Sequence, residues 1–238
     1  MTWSDPDIQT VAPEVIRVPV PLPHDALKAV NVYMIEGDTG VTLIDAGWDS
    51  PLALQAVKNG LAFLDADMPD VERILVTHVH YDHIGQANAL GRAGAGGYWL
   101  GKGDKSTFDH MTTDPQTSRA NRVDLLRQHG AVELADQAGD TLAMMAEQAV
   151  DWDQPDRWMI DGDVHTSPTG DVHALATPGH TARHMCFHHP DKGLLFAGDH
   201  VRWRTSSPRW PAFATLTLTS CCQPMVRCSA TLRGESMR

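Results

Sequence analysis

Val71-Glu72-Arg73-Ile74-Leu75-Val76-Thr77-His78-Val79-His80-Tyr81-Asp82-His83-Ile84-Gly85 is the stretch on which the fold turns. Its first seven residues, Val71–Thr77, are largely apolar and β-branched and read as a buried strand. That strand runs straight into four ligand-type residues in six positions. At an extended strand end, residues two apart point to the same side, so His78 and His80 can converge on one ion. The chain then turns and places Asp82 and His83 near the start of the following helix, where they can face a second ion. Imidazole nitrogens and a carboxylate oxygen suit zinc, with iron or manganese as possible substitutes. A surface histidine cluster needs neither this spacing nor a strand in front of it.

Upstream, Val15–Val20, Val30–Ile35 and Gly40–Ile44 read as strands, and Pro19 marks the first as an edge strand. Pro51 opens a helix with Asp49 or Ser50 as its cap. Downstream, a helix is predicted from about Ile84 to Arg92, stopped by Gly94-Ala95-Gly96-Gly97, with a short strand at Tyr98–Leu100. Residues 102–150 read as helical and irregular, either a lid or entrance wall or a surface insertion without a role. Strands return at Arg157–Ile160, Val172–Ala176, His184–His188 and Leu194–Ala197. Strands and helices in two similar halves predict a layered α/β arrangement.

Two later turns repeat the logic of the first motif. Thr177-Pro178-Gly179-His180-Thr181 lifts His180 to the end of a core strand. Ala197-Gly198-Asp199-His200 does the same for Asp199, whose carboxylate can bridge two ions.

The chain of 238 residues carries a formal net charge of −11, which speaks against a nucleic-acid partner held by a basic surface. No apolar run reaches the length of a membrane span, and Met1–Asp7 lacks the basic and apolar regions of a leader, so the expectation is a cytoplasmic protein. Its four cysteines form no disulfide or zinc-finger spacing. Residues 201–238 differ in character. They hold six Arg and one acid, Glu235, so this segment carries +5 and residues 1–200 carry −16. The segment reads as an atypical tail, either flexible or not the natural continuation of the domain.

Taken together, Leu43-Ile44-Asp45-Ala46-Gly47, Thr77–Gly85, Thr177–Thr181 and Phe196-Ala197-Gly198-Asp199 resemble the metallo-β-lactamase superfamily, in the family's order. The resemblance covers residues 14–200, with the helical insertion at about 102–150. It implies a four-layer αβ/βα sandwich whose second half is incomplete. It implies that His78, His80 and His180 hold a first metal, that Asp82 and His83 hold a second, and that Asp199 bridges them. Asp45 would orient the site, or else be only a turn residue capping the next helix. In the family a further late His usually serves the second metal. Here no His follows His200, which itself has the wrong placement, so the second site is expected to be weakened.

The activity implied is a zinc-dependent hydrolase, with one or two ions, using a metal-bound hydroxide on a small-molecule thioester or other carboxylic ester or lactone. Asp82 would hold the second ion or orient the water and shuttle its proton. Two rivals stand beside it. One is a mono-iron oxygenase resembling persulfide dioxygenases and using His78, His180 and Asp199; the other is a truncated product with little activity. His24, His110, His129, His165, His173 and His184 read as surface or core filler. The His188-His189 pair reads as solvated. Oligomeric state is not legible.

Overall fold

Apolar runs rich in Val, Ile and Leu build two facing sheets, seen in a computed structural model that describes residues 7–22, 28–113, 115–147, 153–167, 169–200 and 217–219. The first sheet contains β1 (Gln9–Ala12), β2 (Val15–Pro21), β3 (Ala29–Glu36) and β4 (Val41–Ile44), each antiparallel to the next. Helix α1 (Pro51–Phe63) then carries the chain over to β5 (Val71–Val76), which lies parallel to β4. Ser50 caps α1, its Oγ accepting the Ala53 N–H at 3.1 Å, and Pro51 occupies the first turn. Two short helices, α2 (Tyr81–Ile84) and α3 (Ala87–Arg92), lead to β6 (Tyr98–Gly101). The parallel strands are buried on both faces, which is why Ile74–Val76 reads as an unbroken apolar run and Val41–Ile44 as one broken only by the buried Thr42.

Lys105–Gln154 forms a separate compact unit of helices α4 (Lys105–Thr113), α5 (Pro115–Gln128) and α6 (Val132–Glu147). The chain then returns to the larger unit as β7 (Arg157–Met159), which closes the first sheet in the order β1-β2-β3-β4-β5-β6-β7. The second sheet is built from β8 (Val164–Ser167), β9 (Gly170–Ala176), β10 (Met185–His189), β11 (Leu194–Phe196) and β12 (Thr217–Thr219). Its order is β12-β11-β10-β9-β8.

The two sheets meet face to face. Val15, Tyr33, Ile35, Ile44, Leu75 and Met159 of the first pack with Val172, Ala174, Met185, Phe187, Leu194 and Phe196 of the second. Burying each such large side chain contributes roughly 1.5–3 kcal/mol before entropy is counted. The Tyr33 and Phe196 rings tilt together across the layer at 5.2 Å. Helix α1 covers the first sheet over β2 and β3. This is the mixed α/β layering that the sequence predicts. The expectation of an incomplete second half and an atypical tail falls on residues 201–216 and 220–238, which lie outside the described residues.

Three details differ from the sequence reading. Strand β2 is not an edge: β1 pairs with it, but only from Val15 to Arg17, so Pro19 sits where β2 has a neighbour on one side alone. The single helix predicted over Ile84–Arg92 is two, because Gly85 and Gln86 break the run between α2 and α3. Strands β1 and β8 are short and half-exposed, without a clean apolar alternation, and β12 lies in the segment read as an atypical tail, so the sequence reading has none of the three.

Candidate metal centre

Every candidate ligand lies at one end of the two sheets. Asp45 follows β4, His78 and His80 follow β5, His180 follows β9 and Asp199 follows β11. Ligand sites of layered α/β proteins commonly form at the carboxyl ends of strands. Main-chain bonds lock these ends together. Leu75 O accepts the Asp45 N–H at 2.9 Å, and Thr77 O accepts the Met185 N–H at 2.8 Å, joining the first sheet to the second.

The structure brings together two groups of potential ligand atoms, His78–His80–His180 and His78–His83–Asp199, each with its atoms within 4.8 Å of one another. His78 belongs to both. Its ring centre lies 4.5 Å from that of His80, 4.2 Å from His83 and 4.9 Å from His180. His180 Nε2 lies 3.0 Å from His80 Nδ1 and 3.4 Å from Asp199 Oδ2. Asp82 lies beside this assembly, its Oδ2 3.5 Å from His83 Nε2. Asp199 Oδ1 is also 3.5 Å from His83 Nε2.

Hydrogen bonds decide which ring nitrogen of each histidine is free to bind. Asp45 Oδ1 accepts the Thr77 N–H at 2.7 Å, and Oδ2 accepts the Thr77 hydroxyl at 3.0 Å and His83 Nδ1 at 2.8 Å. With its one proton committed to Asp45, the Thr77 hydroxyl can only accept from His78 Nδ1, 3.0 Å away. Both histidines therefore carry a proton on Nδ1, and His78 turns a lone pair outward on Nε2. That His78 Nε2 is buried and has no hydrogen-bond partner among the described residues. Burial, and then the neighbouring His83, His184, His80 and His180, holds the His78 ring far below its ordinary pKa, in the neutral form that binds metals. His80 is lowered by burial and by His180. Burial would also lower His83, but the Asp45, Asp199 and Asp82 carboxylates outweigh it and raise that ring well above its ordinary value. A buried, unpartnered imidazole nitrogen among converging nitrogens and carboxylates fits a divalent cation.

Asp45 itself adopts a left-handed backbone, with φ of 63°. Its carboxylate is used on Thr77 and His83, while Ser50 supplies the cap of α1. The turn-residue alternative for Asp45 does not describe these bonds.

One participant was missed. His184 reads in sequence as filler, yet it is fully buried against the site, its ring 4.9 Å from that of His78. Its Nδ1 meets Thr177 Oγ1 at 3.0 Å, and its Nε2 accepts the Asp199 N–H at 3.2 Å. Burial first, then His200, His83 and His180, pushes its pKa down to about 3. His184 thus acts as a neutral acceptor that orients the main chain of Asp199. Gly198 makes room for it: φ is +48°, and a Cβ there would fall 2.6 Å from His184 Nε2 and 2.7 Å from Thr77 Oγ1. A Thr seven residues ahead of a His, both flanking one turn, was the available signal. His200 joins neither group of converging atoms.

The remaining histidines divide. His165 bonds Thr42 at 3.0 Å. His189 is fully buried and meets Thr169 at 3.2 Å, so the solvated reading of the His188-His189 pair fails for His189, which points inward from β10. His24, Cys221 and Cys222 lie outside the described residues.

A sequence model of the Metallo-beta-lactamase superfamily matches residues 26–218. A probable metallo-hydrolase, YqjP, of Bacillus subtilis is 40% identical over 72 residues, covering 30% of this chain and 22% of its own length. The atrochrysone carboxyl ACP thioesterase of Aspergillus chevalieri is 25% identical over 200 residues, covering 82% of this chain and 48% of its own. Among solved structures, a metallo-beta-lactamase family protein of Thermus thermophilus superposes with a TM-score of 0.67 at 27% identity, covering 83% of this chain and 62% of that one. This chain thus spans less than two thirds of the length of each of these proteins.

Proposed function

The chain belongs to the metallo-beta-lactamase superfamily, and from that premise we propose that it is a zinc-dependent hydrolase of a thioester or other carboxylic-ester or lactone substrate. The observation that carries this reading is the buried, unpartnered His78 Nε2, aimed among the ligand atoms of His80, His180, His83 and Asp199. In this reading His78, His80 and His180 hold one ion, Asp82 and His83 serve a second, and Asp199 lies between them. Zinc suits this donor set, with iron or manganese as possible substitutes. A bound zinc ion supplies a Lewis acid and lowers the pKa of water at the site towards 7.

The protein's own groups do the rest. Asp45 fixes the tautomer of His83 directly through Nδ1, and that of His78 through the Thr77 hydroxyl. In this reading the Asp82 carboxylate, a quarter exposed and 3.5 Å from His83 Nε2, orients water and takes up a proton. The thioesterase relative supports the acyl substrate class. The reading takes residues 14–200 as the catalytic domain, with the helical segment inserted in it, and puts the enzyme in the cytoplasm. No described helix is long and apolar enough to cross a membrane.

The test is a panel of thioester, lactone and phosphodiester substrates with zinc-loaded and chelator-treated protein. Chelator-sensitive turnover of the thioester or lactone is expected. Turnover of the phosphodiester alone, or stoichiometric iron with oxygen uptake, would overturn it.

A further inference from the structure

Asp104 stands outside both ligand groups, yet it touches the two segments that carry the first of them. It ends a single 3-10 turn, Lys102–Asp104, after β6, and only 1% of it is exposed. Its Oδ2 accepts the main-chain N–H of Val79, between His78 and His80, at 3.1 Å. The same oxygen accepts the Thr181 hydroxyl, next to His180, at 3.4 Å. The main-chain N–H of Arg183 faces the carboxylate as well. Asp104 Oδ1 is buried without a hydrogen-bond partner among the described residues.

A buried carboxylate with one oxygen left bare is a costly choice for a packing position, where an apolar residue would serve better. The close approach that brings it there is also built in. A Cβ on Gly103 would fall 1.5 Å from Arg183 Cγ, so only glycine lets this turn lie against the Arg183 side chain. The loop bearing His180 is otherwise tied at its base, by Thr177 N–H to His184 O at 2.7 Å and Met185 N–H to Thr77 O at 2.8 Å. Asp104 supplies a tie close to the tip.

We propose that Asp104 is a positioning residue of the metal centre: it joins the His78–His80 loop to the His180 loop and sets the separation at which their three ligand nitrogens meet. This rests on the metal-binding reading above.

The experiment compares the full chain with D104A, D104N and T181V. It measures Zn²⁺ affinity by competition with a chromogenic chelator, the visible spectrum of the Co²⁺-loaded protein, and melting of the metal-free protein. D104A should weaken Zn²⁺ binding about 10–100-fold and alter the Co²⁺ spectrum. D104N, whose side-chain oxygen can replace Oδ2, should recover most of that affinity. T181V should weaken binding by a smaller factor while its metal-free melting stays with the parent. Parental Zn²⁺ affinity and an unchanged Co²⁺ spectrum in D104A and T181V would overturn the proposal, however far melting falls. If D104A does not fold, T181V decides by the same criterion. A parent chain that binds neither ion would overturn the metal reading itself, a result distinct from parent and variants binding alike.

Discussion

The two halves of the molecule support their ligands by opposite chemistry. In the first half a single carboxylate, Asp45, gathers donors from Thr77 and His83 and acts on residues packed into one short motif. In the second half a neutral imidazole, His184, held by Thr177, receives one main-chain N–H from Asp199. A buried anion must be matched by several donors, so it organises a cluster. A neutral ring needs only one partner on each nitrogen, so it places a single residue. The first half should therefore be the more brittle, while acid acts on neutral buried rings in both halves, His78 and His184.

The largest test of that contrast is D45A. It leaves the Thr77 N–H and the buried, charge-prone His83 without their acceptor, and urea unfolding should show a loss of about 3–5 kcal/mol. H184A removes one donor and one acceptor from neutral partners, and should cost about 1–3 kcal/mol by the same measurement. Equal losses would erase the distinction between the two supports.

Acid sharpens the comparison. The His184 pKa falls from the ordinary 6.5 to about 3 in the folded chain. Between those values the unfolded state binds the proton and the folded state refuses it. The metal-free protein should thus keep this share of its stability above pH 6.5 and lose it as pH falls towards 3. The slope from one such group is at most about 1.4 kcal/mol per pH unit. H184N should flatten the profile relative to the parent. An identical slope in both would assign the acid sensitivity elsewhere, for instance to His78.

The smallest expected effect lies outside both supports. Arg73 bonds Asp156 at 2.7 Å on the surface and stacks on Trp99. D156A should change stability by about 0–1 kcal/mol, and less at high salt. A larger loss would mean that this face is coupled to the site.

What was legible in the sequence follows from the same contrast. His78, His80, Asp82 and His83 could be read together because strand geometry places residues two apart on one side and the turn follows at once. His180 and Asp199 could be read because each sits in a glycine-containing turn after an apolar strand. For His184 the Thr177 seven residues ahead was a usable signal; Thr77 and Asp104 could not be read. Their roles depend on bonds between segments distant along the chain, such as Asp104 to Val79 and to Thr181, and a hydroxyl or carboxylate next to a strand end looks the same with or without them. Pro19 misled for a related reason: how far β1 runs alongside β2 is not written in β2.

The claim most exposed to test is that the buried Nε2 of His78 holds an ion together with His80 and His180. Zinc stoichiometry by elemental analysis, after exhaustive dialysis of the parent, H80A, H83A and H78A chains, addresses it directly. The account predicts that the parent retains zinc, that H83A loses only part of the zinc-binding capacity measured on titration, and that H78A, like H80A, loses the ion of the three-histidine site. Retention of parental zinc by H78A, or none by the parent, would contradict it.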